Sequence, residues 1–482
     1  MAKTARRRRA YGIAALATAV LAVGACQEVT VPSLNNAIIG SLTDNPDIST
    51  INVSTIGMLI TLRDRVGTEA SAMGILGKES YNLDQAEPRN VLSYLQGPIE
   101  PGGFVQDLGW TAGYRNIVQG AAILEAVEKI PETATPTTVS YTLAQKQAIR
   151  GFVKTIMAME LLTQVRVRDQ VGIVIDVSTD RTAPLGPIVS KAEGLTYVVT
   201  LLDEARTHLL AGGTTFPFAL PAGFLNFAAT GTTAATPANF LLLNRAIKAR
   251  AEVYRQQWAS ALTAIGESFI EATTTTGGNL ARGAYHVYST ASGDIINPLF
   301  DQTPTRFYVH PSILSGAQAR VGGAPDLRLS SKTAVGTSRT TVTVQGTHKF
   351  MNYPTNVSPV PIIKNEELIL LRAEARYNNG DPVGALADIN FVRVNSGGLA
   401  PLAGFADANA FVDELLYNRT YSLLFEGGHR WVDARRYNRL AQLPKVNTQL
   451  NERTFPYVML PADECTQRGG QPAIACTQVT GQ

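Results

Sequence analysis

Arg250-Ala251-Glu252, followed by Tyr254 and Ala261-Leu262, returns further along the chain as Arg372-Ala373-Glu374, followed by Tyr377 and Ala385-Leu386. Both copies sit where apolar residues recur at helical spacing, with alanines placed so that one helix can approach the next. A helix hairpin of this kind cannot bury its apolar face alone, so it must stack on neighbours. The second copy carries its own turn, Asn378-Asn379-Gly380-Asp381-Pro382, in which Gly380 ends one helix and Asp381 with Pro382 starts the next. Helical spacing recurs at residues 110–130, 143–167, 195–210 and 238–270, the last broken near Gln256 and Trp258, and again at 366–379 and 383–394. The pattern predicts a mostly α fold built of helix hairpins, with repeats at about 110–270 and 362–396.

The segments between have other chemistry. Residues 210–236 are rich in Gly, Ala, Thr, Phe and Pro, and residues 273–349 carry Gly, Thr and Ser with short alternating runs such as Thr340-Thr341-Val342-Thr343-Val344-Gln345. Loops and small strands over a helical frame are expected there, with a loop-rich ligand region at about 271–361 and a closing segment at about 397–482.

At the N-terminus, arginines at 6–9 precede an apolar stretch over 10–25 and then Cys26, in the order Leu21-Ala22-Val23-Gly24-Ala25-Cys26. This is the layout of a secretory signal, residues 1–25, cleaved before a cysteine that then carries acyl chains. An uncleaved anchor is the rival, but the stretch is short against the ~20 residues of a spanning helix. The arginines serve either an ordinary positive leader or twin-arginine export. The formal net charge of +3 includes the leader arginines, so the body of residues 26–482 is close to neutral, which argues against nucleic acid as a partner. Cys465 and Cys476 are the other two cysteines; in an exported chain they are expected to form a disulfide, since a metal site would need two more ligands and no histidine lies nearby.

Residues 366–398 (EELILLRAEARYNNGDPVGALADINFVRVNSGG) and 414–437 (ELLYNRTYSLLFEGGHRWVDARRY) resemble the SusD/RagB-type outer-membrane lipoproteins. The second block holds that family's pattern as Glu426, Gly427, Arg430, Trp431 and Asp433 followed by arginine. WTAGYRNIVQGAAIL from Trp110 is similar to the family's first repeat helix, and FPYVMLPADE from Phe455 to its closing segment, although Tyr457, Val458 and Met459 depart from the usual Pro-Ile-Pro run. The resemblance implies a mostly α fold of tetratricopeptide-like helix-hairpin repeats beside an irregular, loop-rich part that holds the ligand. It also implies a lipid-anchored place on the outer membrane facing the exterior, and a SusC-like TonB-dependent transporter as partner. The ligand would be an oligosaccharide or a peptide, with no cofactor and no catalysis.

Local motifs agree with binding. Five histidines form no HExxH pattern, and no phosphate loop or nucleophile elbow is present. Asp and Glu are plentiful, but no local motif sets up a carboxylate pair for glycoside hydrolysis. A hydrolase and a repeat scaffold without a small-molecule ligand are the competing readings. In the Glu426–Arg436 block a structural role is expected: ion pairs of Arg430 and Asp433 at helix ends, Trp431 inside, and His429 at the surface or as a cap. Trp258 and Trp431 are expected in the core. For the ligand, the resemblance points to Trp110, with Arg89 in the preceding polar loop as a companion donor, and Tyr81, Tyr285, Tyr288 and Tyr308 are the remaining candidate loop aromatics.

Overall fold

The computed structural model describes residues 39–482 apart from 137–138, 181, 226, 228–234, 273–278, 302–303 and 448, so the leader and Cys26 lie outside the described residues. Eleven helices of eight residues or more are described. They are α1 (Ile48–Asp64), α2 (Val66–Leu76), α3 (Trp110–Lys129), α4 (Leu143–Arg168), α5 (Lys191–Leu210), α6 (Pro237–Tyr254), α7 (Trp258–Gly266), α8 (Asn365–Asn378), α9 (Pro382–Asn395), α10 (Ala408–Ser422) and α11 (His429–Arg436). From α3 to α7 each helix packs on the next, α7 passes the stack to α8, and α8 pairs with α9. The chain is therefore mostly α, a stack of helix hairpins as the repeated motif predicts.

Local chemistry sets the helix ends. Thr142 and Gln145 form a reciprocal capping box at the start of α4, and Ser190 and Glu193 do the same for α5. Between α8 and α9, Gly380 takes φ +88° and the Asp381 carboxylate accepts from Gly384 N at 2.8 Å. Small residues then make the contacts: Ala246, Ala249, Ala251 and Ala261 on α6 and α7, and Ala373, Ala375 and Ala385 on α8 and α9, are all fully buried. The repeated arginine does two different jobs. Arg250 reaches across to Glu367 of α8 at 2.7 Å, whereas Arg372 binds Asp388 of its own hairpin at 2.6 Å. Helix α4 is buried on nearly every side, as a helix at the centre of a stack must be.

The linking segments carry short strands. Strands β1 (Ser80–Asn82), β5 (Phe307–Val309), β7 (Val344–Phe350) and β6 (Thr333–Thr341) form an antiparallel sheet in that order. Two further pairs are β2 (Ile173–Val174) with β3 (Ile188–Val189), and β4 (Gly283–His286) with β8 (Val360–Lys364), which leads straight into α8. The alternating run at 340–345 is a hairpin rather than one strand: Thr341 pairs with Val344, and Val342 turns at φ +57°. The Phe-rich segment after α5 covers the helices. Phe216 and Phe218 stack at 5.2 Å, and Phe152 of α4 packs against Phe218 at 5.2 Å and Phe240 of α6 at 5.0 Å.

Candidate functional site

Trp110 and Tyr114 lie one turn apart at the start of α3, which brings their rings to 4.3 Å centroid separation. They form one side of a surface pocket of about 230 Å³. The loop between β2 and β3 supplies Asp176, Ser178, Asp180 and Leu185, and the C-terminal helical turn at Ala462–Gln467 supplies Glu464, with Arg468 just beyond it. Arg468 joins these walls by donating to Gly186 O at 2.8 Å and to Glu464 at 2.8 Å. The Cys465–Cys476 disulfide closes the C-terminal loop, and Cys465 packs in one apolar cluster with Trp110 and Leu460.

Each polar group in the pocket has a set role. The Tyr114 hydroxyl donates to Val174 O at 3.0 Å and accepts from Val174 N at 2.7 Å, so it anchors β2 and offers its ring rather than its oxygen; burial raises its pKa. The Arg168 guanidinium lies 5.3 Å from the centre of the Trp110 ring, and the indole is only 5% exposed. Trp110 is thus a wall of the pocket rather than an open stacking platform. Hydrogen bonds from Thr182 hold the Asp180 carboxylate below its usual pKa, so it stands charged as an acceptor. Asp176, Asp180 and Glu464 against the single Arg468 give a rim dominated by acceptors. Such a rim takes hydrogen bonds from neutral hydroxyl groups and repels anions.

The other expected ligand residues do not gather here. Tyr81 and Tyr308 are directly opposed on β1 and β5, each 1% exposed. The Tyr81 hydroxyl meets Glu452 at 3.2 Å and the Tyr308 hydroxyl donates to Thr337 O at 2.7 Å. They are strand residues of the core, which corrects the expectation of loop aromatics. Tyr285 lies on β4 with its hydroxyl on Ala281 O, and Tyr288 is buried with the Arg63 guanidinium 5.9 Å from its ring. Arg89 is exposed, ion-paired to Glu87 and laid over Phe104 at 4.6 Å. Sequence reasoning missed Tyr114, Asp176, Asp180 and Arg468; the spacing of Trp110 and Tyr114 was the available signal for the first.

The 426–436 block is a structural knot. Glu426 is shared by Lys332 at 3.0 Å and Lys364 at 2.8 Å. Arg430 donates its backbone N–H to Glu79 at 3.0 Å and its side chain to Lys78 O at 2.5 Å. Trp431 is fully buried and donates to Phe455 O at 2.7 Å, and Asp433 holds Arg419 at 2.6 Å and Arg436 at 3.0 Å. Three expectations are corrected: among the described residues Arg430 makes no ion pair, since its guanidinium donates to Lys78 O and Ser312 instead of a carboxylate, and two more concern His429 and Trp258. His429 is 4% exposed, because Gly428 at φ +65° lets α11 start against Met73, and Trp258 is half-buried rather than core.

No protein-family model and no curated protein matches the chain, whereas solved structures do. A SusD superfamily protein from Bacteroides vulgatus aligns with TM-score 0.63 at 14% identity, over 87% of this chain and 97% of that one. A SusD-like carbohydrate binding protein from Bacteroides fragilis aligns at 0.59 and 15%, over 86% and 88%. A laminarin binding SusD-like protein aligns at 0.57 and 12%, over 87% and 97%. The chain has the SusD fold.

Proposed function

We propose that this protein belongs to the SusD/RagB family and is a nutrient-binding lipoprotein. In this reading it captures a neutral oligosaccharide in the Trp110–Tyr114 pocket and delivers it to a SusC-like TonB-dependent transporter. The observation that carries the ligand class is the pocket itself, a ring-bearing wall beneath a rim of carboxylates, which suits the apolar face and the hydroxyl edge of a sugar. Two of the similar structures are described as binding carbohydrate or laminarin, which supports the same class. The leader and Cys26 support a lipid anchor at the outer membrane facing the exterior. The protein's part is binding and release without catalysis.

The test has two arms. Full-length protein purified in detergent is titrated with laminarin oligosaccharides and, in parallel, with a mixed oligopeptide panel, using wild type and Asp180→Ala. Saccharide binding that weakens roughly tenfold in the variant, about 1.4 kcal/mol, supports the pocket. Peptide binding alone moves the ligand class to peptides. In the second arm the lipoprotein is recovered from solubilised outer membranes: a TonB-dependent barrel in near-equal amount supports delivery. No barrel and no ligand in either arm would favour the scaffold reading.

A further inference from the structure

A second cavity of about 70 Å³ lies where the α1–α2 junction, α4, α6, the β4–β8 pair and the start of α11 meet. Its wall is built of charge: Arg65, Arg166, Arg250, Glu69, Glu426 and His429 all face it, with His286 beside them. Nearly every one of these ions is already matched. Arg65 is held by Glu69 at 3.1 Å and by Glu160, and Arg250 by Glu367 at 2.7 Å. The Glu426 carboxylate is taken up by Lys332 and Lys364. Arg166 is the exception: among the described residues no carboxylate lies within ion-pair distance of it. Its Nη2 donates to Gly427 O at 2.6 Å, and its buried Nε has no protein acceptor.

His429 adds a second unspent group. The side chain is buried, and its Nδ1 has no protein partner. Burial first, and then the charges of Arg166, Arg250 and Arg419, hold its pKa well below the usual value, so the ring is neutral and keeps one N–H. The other ring nitrogen, Nε2, and the Arg166 Nη2 border one gap. A Cβ built on Gly427 would stand 3.7 Å from His429 Nε2 and 3.8 Å from Arg166 Nη2, and no side chain occupies that place. The edge of the cavity, at Thr163, Pro361, Ile362 and Gly427, is only half-buried, which leaves a way in.

We propose that this cavity is a binding site for one carboxylate group, held by the Arg166 guanidinium and the His429 ring. Arg166 is half-buried and, among the described residues, has no carboxylate within ion-pair distance, so a carboxylate would give its charge a direct partner and accept from the guanidinium and from the ring together. The cavity has room for the head of an acid, at about 70 Å³. The site is separate from the Trp110 pocket, whose carboxylate rim repels anions, and it stands whether or not that pocket binds sugar. The carboxylate comes either from a free small acid or from the acidic end of a larger ligand seated at the cavity mouth.

Full-length protein in detergent is titrated with sodium acetate and with sodium glucuronate at constant ionic strength, following thermal unfolding in wild type and Arg166→Gln. Stabilisation by acetate alone assigns a free small acid, and stabilisation by both assigns the acidic end of a larger ligand; in either case the apparent affinity falls about tenfold or more in the variant. Crystals of the wild-type protein soaked in sodium bromide provide a check that needs no variant: an anomalous peak between Arg166 and His429 is expected. No stabilisation by either acid, or ordered water in place of the peak, overturns the proposal.

Discussion

Glu79 is where the structure makes its sharpest energetic statement. The side chain is 1% exposed and accepts the backbone N–H groups of Phe425 at 3.1 Å and Arg430 at 3.0 Å, so it stitches β1 to the 426–436 block. Burial lifts its pKa from 4.5 to about 7, against the pull of those two hydrogen bonds and the Arg430 charge. A carboxyl that titrates near 7 when folded and near 4.5 when unfolded holds its proton more tightly in the folded chain. At ~1.4 kcal/mol per pH unit the difference is about 3 kcal/mol. The sign follows directly. Below pH 4.5 both states are protonated and the group adds no penalty; between 4.5 and 7 the unfolded chain loses its proton first and stability falls; above 7 the whole penalty is present. In Glu79→Gln one of the two backbone donors loses its acceptor, which costs ~1–3 kcal/mol at any pH, but the pH-dependent penalty disappears. Urea unfolding of both proteins at pH 5 and pH 8 isolates the effect. The variant's stability relative to wild type should improve by about 2.5 kcal/mol on going to pH 8, because part of the penalty is already in place at pH 5, whatever the constant loss. Parallel pH profiles for the two proteins would refute the reasoning.

Two further expectations concern the same end of the molecule. Gly428→Ala would put a Cβ 2.1 Å from Met73 Cβ in a backbone turned to φ +65°, so a loss of about 3 kcal/mol or more is expected. A urea midpoint unchanged from wild type would mean that α11 has room to shift. Replacing Cys465 and Cys476 together by serine frees an 11-residue separation and should cost roughly 2–3 kcal/mol on the loop-closure estimate, with a changed Trp110 emission because Cys465 shares its cluster. An unaltered midpoint and spectrum would show that packing alone holds the chain end.

The parts of the fold legible in the sequence were those decided locally. Residues 366–394 announce their hairpin through helical spacing, a glycine at the turn and an Asp-Pro start, and α8 and α9 fall within a residue or so of it. Long-range pairing left a fainter trace. Ser80–Asn82 and Phe307–Val309 are three residues each, too short for an alternating pattern, so Tyr81 and Tyr308 read as loop aromatics although they oppose one another across a sheet. His429 misled for a related reason, since its burial depends on how closely Gly428 approaches Met73, more than 350 residues earlier in the chain. The pocket was half legible: Trp110 and Tyr114 share a helix face, but Asp176, Asp180 and Arg468 reach it from two other regions.

The chain's last residues return to its first helices. Val479 bridges to Ile99, Arg453 N bonds Leu95 O, Leu460 and Cys465 pack on Trp110, and Val458 N bonds Val167 O. A nascent chain therefore exposes the apolar flank of its first hairpin until residues 453–479 arrive. Folding then closes late, on contacts of very large sequence separation, which are slow to form and leave an intermediate open to association. A chaperone that holds this chain before it closes would have to cover that flank.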